Sequence, residues 1–466
     1  MSDQQKPRGK GKGKSSGKGA PQREAEATDT ESPSGDVRED SATASASSTD
    51  ATAVEATAPE PEGSGGSTEP ASSDEQAPRA QSVLREILES STLVVIMAIL
   101  ASLAIGGLLI VFADEAVREA SAYFFSRPGD TFSAMADALG AAYSAMFQGA
   151  VLNVDATTFA GMIKPFTQTL TMATPLIFAG LGLGIGFRAG LFNIGAQGQL
   201  LIGATLGAYV GFAWHLPWGI HLIVAVLGCA LGGAIWGFIP GFLKARTGAH
   251  EVIVTIMLNY IALNLVSWLL TLDTFQREGS DNPITPVVDE TAQYPLILGS
   301  GFNLHLGFLL ALACAWGVWW LMERSTLGFE FRAVGANPHA ARTAGMSVSK
   351  AYILVMVIAG ALAGLAGSAQ VLGTEKVLTT ATAGSLGFDA ITVALLGRSR
   401  PLGTVMAAIL FGGLRASGPT LQVQAGLPVD IIFVIQALIV LFIAAPPLVR
   451  SMFRLPAPAH EKEVAA

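Results

Sequence analysis

Amide and guanidinium side chains that could bind a polar solute interrupt an otherwise apolar part of this chain. Residues 187–203 carry Arg188, Asn193, Gln197 and Gln199 between two apolar runs. A polar group in hydrocarbon costs several kcal/mol unless it finds a partner, so such groups in a membrane segment are typical of a transport path or a protein contact. Amides both donate and accept hydrogen bonds. We therefore predict that Asn193, Gln197 and Gln199 line a path for a polar solute.

A second group of candidates lies further along the chain. Asn259, with Asn264 five residues later, lies in an apolar run, where its amide either bonds a neighbouring helix or contacts the solute. Asp389 follows Phe388 at the start of a short apolar piece, where it either caps a helix or lines the path; the two roles are compatible. Asn259, Phe388 and Asp389 are therefore further candidates for the substrate pathway.

Catalytic and metal chemistry are not indicated by the sequence. The intramembrane acids Glu251 and Asp389 lie in separate segments, and no motif links them. The two cysteines, Cys229 and Cys314, lie inside apolar runs, where we expect them to pack as small hydrophobic side chains. The six histidines lack the spacing of metal ligands. We predict no catalytic residue, no metal site and no cofactor on this chain.

Apolar helices must position these residues. The chain is 51% hydrophobic and 14% charged, which is typical of a polytopic membrane protein. Apolar runs able to cross about 30 Å of hydrocarbon, together with two shorter pieces, lie at about 91–113, 168–187, 195–214, 217–240, 250–271, 303–322, 351–371, 385–397, 402–417 and 429–446. The predicted fold class is an all-α polytopic membrane protein with about ten transmembrane segments. The two short pieces, 385–397 and 402–417, are expected to be discontinuous helices of the kind that transporters place at a binding site.

Composition divides the chain into a polar tail and a membrane domain. Residues 1–80 carry almost no large apolar side chain and an excess of acids, so we expect a disordered, low-complexity cytoplasmic tail. Its basic start, residues 1–23, either contacts anionic lipid or nucleic acid or is a solvated segment. Residues 9–15 lack the first glycine of a phosphate-binding loop, so no nucleotide site is predicted there. A transmembrane domain over 81–450 and a short cytoplasmic tail over 451–466 follow.

The charges between the apolar segments predict the orientation. Basic residues fill the gaps after the fourth, sixth, eighth and tenth segments, whereas the gap Asp273–Phe302 is acidic. With the basic gaps inside, both termini are cytoplasmic and the acidic gap is external. An amphipathic piece within residues 114–165 is expected to form an external or interfacial helix.

The gap 324–350 is a candidate docking element on the basic side. Asn337 before Pro338 can cap a short polar helix, and Gly345 can end it. Such a helix has little apolar surface of its own to bury, so we expect it to dock into a partner; the alternative is a solvated connector. The candidate coupling residues are Asn337, Pro338, Ala341, Arg342 and Gly345.

Three motifs in order resemble those of a known family. The stretch from Phe187 to Gln199 is similar to a signature of the permease subunits of nucleoside-type ABC importers. Residues 328–346 resemble their cytoplasmic coupling loop, and residues 387–397 resemble their second half. Gln197 stands where members of the family often carry an acid. The resemblance covers about 165–448 and includes, more broadly, ribose and branched-chain amino-acid permeases.

The resemblance implies a type II ABC importer-like permease that forms the transmembrane pathway for nucleosides, with simple sugars such as ribose as the alternative substrates. It also implies a second homologous permease subunit, a cytoplasmic ABC ATPase that binds ATP and Mg, and an extracytoplasmic substrate-binding lipoprotein. The implied location is the inner (plasma) membrane of a bacterium, in contact with membrane lipid and with no nucleic-acid partner. A proton-coupled secondary transporter, with Asp389 or Glu251 as the proton site, is the alternative from another class.

Overall fold

The structure is a computed structural model that describes residues 91–454, and over these residues it is almost wholly helical. The predicted tail 1–80 and most of the predicted tail 451–466 lie outside the described residues. The helices in chain order are α1 (Ser91–Ala113), α2 (Glu115–Ser121), α3 (Pro128–Ala150), α4 (Phe159–Arg188), α5 (Ala196–Ala213), α6 (Ile220–Thr247), α7 (Glu251–Leu269), α8 (Gly307–Arg324), α9 (Thr326–Ala336), α10 (Pro338–Thr343), α11 (Val348–Ser368), α12 (Leu386–Leu396), α13 (Pro401–Ala425), α14 (Asp430–Ala444) and α15 (Pro446–Met452).

Every predicted apolar segment is helical, and the all-α fold class is confirmed. By length and composition, five helices of the described region can cross a membrane, namely α1, α4, α6, α7 and α11, the last together with the π-helical turn Ala369–Thr374 that continues it. Helices α14 and α15, bent by 94° relative to each other, together form a sixth candidate. Polar side chains within α5 and α13 lower their hydropathy. About ten membrane crossings are therefore reached only if the shorter and more polar helices also cross.

Helix α4 contains the predicted apolar run at about 168–187 and begins nine residues before it, at Phe159. Thr158 precedes the helix, and its hydroxyl accepts a hydrogen bond from the backbone N–H of Gly161 at 3.2 Å. This cap satisfies one of the free N–H groups of the first turn. Hydropathy misses such an extension because polar residues, Lys164 and Gln168 among them, continue the helix.

Helices α6 and α11 pack with their backbones in contact at the centre of the bundle. A Cβ atom on Gly233 of α6 would lie 2.1 Å from the carbonyl oxygen of Gly360 in α11, and one on Gly364 would lie 2.1 Å from that of Cys229. Only glycine allows this approach, as at the small-residue interfaces typical of membrane helices. Cys229 is fully buried there, as predicted.

The amphipathic helix predicted within 114–165 is α3, and it packs along other helices of the bundle. The Tyr143 hydroxyl donates a hydrogen bond to the carbonyl oxygen of Leu103 in α1 at 2.6 Å. Near its end, a Cβ atom on Gly149 would lie 2.8 Å from the Cα atom of Ser417 in α13. The helix is therefore a packed part of the bundle.

The acidic gap between α7 and α8 is an ordered segment that covers the ends of α5 and α11. The backbone N–H of Val288 donates to the carbonyl oxygen of Lys376 at 2.9 Å, that of Asp289 to Gly211 at 2.9 Å and that of Tyr294 to Leu372 at 2.8 Å. These bonds satisfy backbone groups that a helix end leaves free.

Candidate solute path and coupling site

The chain breaks between α4 and α5, and buried amides organise the break. The Asn193 side chain accepts a hydrogen bond from the backbone N–H of Gly195 at 2.9 Å and donates one to the Gln199 side chain at 3.0 Å. Asn193 and Gln199 are each 1% exposed. Asn193 precedes the helix, so it does not lie above Gln197 on one helical face. Its amide shapes the turn instead.

Asn259 of α7 caps the start of α5 from a neighbouring helix. Its side-chain oxygen accepts from the backbone N–H of Gly198 at 2.8 Å, and its side-chain nitrogen donates to the carbonyl oxygen of Ile194 at 2.9 Å. The first N–H groups of a helix have no partner within it, and an amide is able to satisfy both kinds of backbone group. Asn259 therefore fixes the backbone conformation at this break.

Gln197 joins this break to the one before α12. Its side-chain nitrogen donates to the carbonyl oxygen of Gly384 at 2.6 Å, and its side-chain oxygen accepts from the backbone N–H of Gly387 at 2.8 Å. A Cβ atom on Gly387 would lie 2.4 Å from the backbone nitrogen of Gln197, so glycine is needed for the contact. The Gln197 side chain thus ties the first turn of α5 to the backbone at the break before α12.

A cavity of about 470 Å³ lies beside these two breaks, where α5, α7 and α12 meet. It brings together three of the six predicted pathway residues, Gln197, Asn259 and Phe388. The other three, Asn193, Gln199 and Asp389, do not line it. Its remaining walls are mainly apolar, as is usual for small-molecule sites. The lining residues are Ile194, Gln197, Leu201, Ile256, Asn259, Tyr260, Leu263, Thr380, Ala381, Ala383, Gly384 and Phe388.

Sequence reasoning missed two aromatic groups at this site. Tyr260 lines the cavity one residue after Asn259 and is exposed. The Trp236 indole N–H of α6 lies near Gly198, is buried and has no partner among the described residues. Tyr260 could have been predicted at the site because it follows Asn259 directly. The position of Trp236 depends on helix packing, which the sequence pattern does not contain.

Asp389 lies in the first turn of α12, as predicted, but its carboxylate pairs with a residue that the sequence reasoning missed. Ser385 donates a hydrogen bond to Asp389 at 2.9 Å, and the guanidinium group of Arg415 in α13 pairs with the same carboxylate oxygen. An arginine inside an apolar helix needs such a partner. The isolated charge of Arg415 in the sequence could therefore have predicted an acidic partner. The pair fastens α12 to α13.

Glu251, the other intramembrane acid, is also paired. Its carboxylate lies 2.5 Å from the ammonium group of Lys244, at the end of α6. It also accepts a long hydrogen bond, 3.5 Å, from the backbone N–H of Phe192. Both acids therefore have a cationic partner within the described chain.

The predicted helix at Asn337–Gly345 is confirmed as α10. The Asn337 side chain accepts from the backbone N–H groups of His339 at 3.0 Å and Ala340 at 3.1 Å, and Pro338 is the first helical residue. Ala341 is buried and Arg342 is exposed. Gly345 ends the helix with a φ of +84°, which favours glycine.

A second helix, α9, precedes α10 and was not predicted. It presses against the chain that leads into the break between α4 and α5: a Cβ atom on Gly335 would lie 2.3 Å from the carbonyl oxygen of Arg188. Glu323, at the end of α8, lies 2.7 Å from the Arg188 guanidinium and 3.4 Å from that of Arg332 in α9. Helix α9 therefore contacts the segment that leads into the candidate path.

A bundle of membrane helices in which two discontinuous segments meet beside a cavity is typical of solute transporters. The model of the family described as branched-chain amino acid transport system / permease component matches residues 166–444, more than half of the chain. The chain belongs to this family of permease components, and it is a multi-pass membrane protein.

Relatives with assigned transport roles are similar over about three fifths of the chain. A guanosine ABC transporter permease protein of Bacillus subtilis is 38% identical over 298 residues, 62% of this chain and 84% of that protein. A nucleoside ABC transporter permease protein of Lactococcus lactis is 35% identical over 301 residues, 63% of this chain and 82% of that protein. A glucose ABC transporter permease protein of Haloferax volcanii is 34% identical over 286 residues, 59% and 75%. No solved structure matches the chain.

Proposed function

We propose that this chain is the transmembrane pathway subunit of an ATP-driven ABC importer that takes up nucleosides delivered by an extracytoplasmic binding protein. The observation that carries the proposal is the cavity in which Gln197, Asn259 and Phe388 meet. The identity to guanosine and nucleoside permeases supports the substrate class.

The lining of the cavity suits weak contact with a nucleoside. The rings of Tyr260 and Phe388 offer apolar surface to a base, and Gln197 and Asn259 offer amide groups to ribose hydroxyls. The backbone already occupies one donor and one acceptor position of each amide, so one N–H and one acceptor position of each remain for the solute. Weak contacts suit a release path, because solute must leave it.

A simple sugar is the second candidate substrate, and the glucose permease relative supports it. None of the relatives compared above is named for ribose, so ribose is the less favoured sugar. A proton-coupled mechanism is disfavoured, because Glu251 and Asp389 each form an ion pair rather than standing free to bind a proton.

The remaining subunits belong to the same proposal. A cytoplasmic ATPase, which would bind ATP and Mg, docks on α9 and α10, and a second permease subunit completes the pathway. The ordered acidic segment Asp273–Phe302 faces the binding lipoprotein. The complex lies in a bacterial plasma membrane with both termini of this chain in the cytoplasm, and the membrane domain spans 81–450.

Uptake by cells tests the proposal directly. Deletion of this chain should abolish uptake of labelled guanosine or uridine, and the intact chain should restore it. An ATPase partner whose phosphate-loop lysine is replaced should also abolish uptake, while a protonophore should leave it intact as long as ATP is maintained. Uptake of glucose alone would overturn the substrate, and loss of uptake with the protonophore at constant ATP would overturn the mechanism.

A further inference from the structure

Another cavity, of about 330 Å³, lies where the end of α3, the first half of α4 and the second half of α13 meet the residues before α8. Asn303, which lines it, follows directly on the acidic segment Asp273–Phe302, so the cavity is on the side that the charge pattern predicts to be external. Its volume is at the lower end of the range for small-molecule sites, about 300–1,000 Å³. We call it the outer cavity; its polar lining residues are Asn153, Lys164, Gln168, Asn303, Arg415 and Thr420.

The polar lining of the outer cavity offers more hydrogen-bond donors than acceptors. The Lys164 ammonium group carries three N–H donors, and this exposed side chain forms no ion pair within the described part of the chain. The Gln168 side-chain oxygen accepts a hydrogen bond from the side-chain nitrogen of Asn303 at 3.0 Å, so the free donors of Gln168 are its two N–H groups. The Asn153 oxygen likewise accepts from the backbone N–H of Asp155 at 3.1 Å. The outer cavity therefore suits a ligand rich in acceptor atoms.

The charges of the outer cavity favour a neutral ligand. Arg415 is compensated, because its guanidinium group pairs with the Asp389 carboxylate. Among the described residues that line the cavity, Lys164 is then the one charge without a partner. A phosphate group brings about two negative charges near pH 7, which a single ammonium group would leave half compensated. Carbonyl oxygens and ring nitrogens accept from an ammonium or amide group without that excess charge.

Arg415 connects the outer cavity to the cavity of the candidate path. Its guanidinium group donates to the Ser385 hydroxyl as well as to the Asp389 carboxylate, at the start of α12. Gly384 and Phe388, which directly precede these two residues in the chain, line the cavity of the candidate path. The start of α12 therefore borders both cavities.

We propose, on the basis of the proposed function, that the outer cavity is an external binding site that the nucleoside occupies between its release from the binding protein and its entry into the candidate path. Lys164 and Gln168 donate to carbonyl oxygens and ring nitrogens of the base, and Asn303 and Thr420 bond the ribose hydroxyls. A simple sugar offers mainly hydroxyl groups, so the donors that receive the base have no matching acceptors in it. A site built for such hydrogen bonds discriminates against an analogue that lacks them.

Photolabelling of the full chain in lipid nanodiscs, without the binding protein, tests the site. Photoreactive azidoguanosine should label peptides from the first half of α4 or the second half of α13, and excess guanosine, but not excess glucose, should prevent this. Lys164→Gln should lower the affinity for the label at least about tenfold, because a hydrogen bond to a charged group contributes at least about that factor. Its unfolding temperature should match that of the wild type, since Lys164 is exposed.

Arg127→Gln is the matched control, because it removes an exposed cation of the same predicted side that does not line the outer cavity. It should leave labelling unchanged, and an effect equal to that of Lys164→Gln would overturn the site. Equal competition by glucose and guanosine would overturn the role of the base.

The position of the label decides the remaining outcomes. Label confined to peptides that contain Gln197, Tyr260 or Phe388, label that excess guanosine does not reduce, or no label at all would overturn the outer site. Guanosine uptake by cells separates this failure from failure of the proposed function. Uptake that requires the chain leaves the proposed function standing, whereas uptake that does not depend on the chain overturns both.

Discussion

Single amide side chains, supplied by a neighbouring part of the fold, satisfy the backbone at both helix breaks. Asn259 serves the break before α5, and Gln197 serves the break before α12. A buried backbone group without a partner costs about 1–3 kcal/mol, so each amide has a structural role whether or not it also contacts solute. A variant at either position therefore changes the backbone contacts as well as the proposed path.

Cysteine labelling separates the two kinds of amide near the cavity. Gln197 lines the cavity, whereas Asn193 is 1% exposed. In a Cys314→Ser background, Gln197→Cys should react with a small methanethiosulfonate reagent in the membrane, and Asn193→Cys should react at least about tenfold more slowly, because local opening must precede its exposure. Equal labelling rates would contradict the geometry of this break.

Removal of one member of the Asp389–Arg415 pair should harm the protein more than removal of both. Both side chains are largely buried, with 21% and 18% of their area exposed. Arg415→Leu leaves a carboxylate without its partner and should lower the free energy of unfolding by about 3 kcal/mol. The double variant Asp389→Leu with Arg415→Leu should recover most of the loss. Thermal unfolding in detergent measures both, and a double variant less stable than Arg415→Leu would contradict this view of the pair.

At the scale of elements, close contact between α6 and α11 organises the bundle. Gly233→Ala would place a Cβ atom 2.1 Å from the carbonyl oxygen of Gly360, so the helices must separate. We expect a loss of about 1–3 kcal/mol in stability, visible as a lower unfolding temperature. Gly317 of α8 is the matched control, because a Cβ atom there meets nothing within 4 Å. Equal effects of Gly233→Ala and Gly317→Ala would show that the contact is not tight.

The sequence predicted the positions of the helices better than it predicted which residues contact one another. Hydropathy placed α1, α5, α7 and α12 within two residues or so, and the cap at Asn337 and the stop at Gly345 were readable because they are local. The sequence analysis did not predict the start of α4 or the helix α9, because both begin at caps within polar sequence. The partner of Gln197 lies 187 residues away at Gly384, and the partner of Asp389 is in another helix. Such pairings are set by tertiary packing, which a local pattern does not contain.

At the scale of the whole molecule, α9 contacts the segment that leads into the candidate path, and under the proposed function it would transmit movement of the ATPase to that path. Gly335 lies against Arg188, and Glu323 pairs with Arg188 and Arg332. The chain continues from Arg188 directly into the break that Asn193 and Asn259 organise. A displacement of α9 would therefore reach the cavity through few contacts.

Variants of α10 test docking. Arg342→Glu reverses an exposed charge, and Gly345→Pro removes the residue with a φ of +84°. Both should abolish uptake while the membrane domain stays folded and the binding protein still docks. Uptake at the normal rate in both variants would show that this segment is only a connector.

A variant of α9 tests transmission separately from docking. Gly335→Ala places a Cβ atom 2.3 Å from the carbonyl oxygen of Arg188 and should separate α9 from that segment. We expect the ATPase to remain bound and to hydrolyse ATP, while uptake falls at least about tenfold, because a small misplacement can be that costly. Loss of ATPase binding together with uptake would instead place Gly335 in the docking surface.

The two hydrogen bonds of the Gln197 side chain also give an approximate free energy for separating α5 from the break before α12. Release of Gly384 and Gly387 from the Gln197 side chain would break two hydrogen bonds, at a net cost of about 2 kcal/mol. About 3% of molecules would then have this contact open without solute or nucleotide. Under the proposed function, opening of this contact would give a resting leak, which a substitution of Gln197 would change. A side chain that bonds only one of the two glycines should raise the leak several-fold and make import less dependent on ATP.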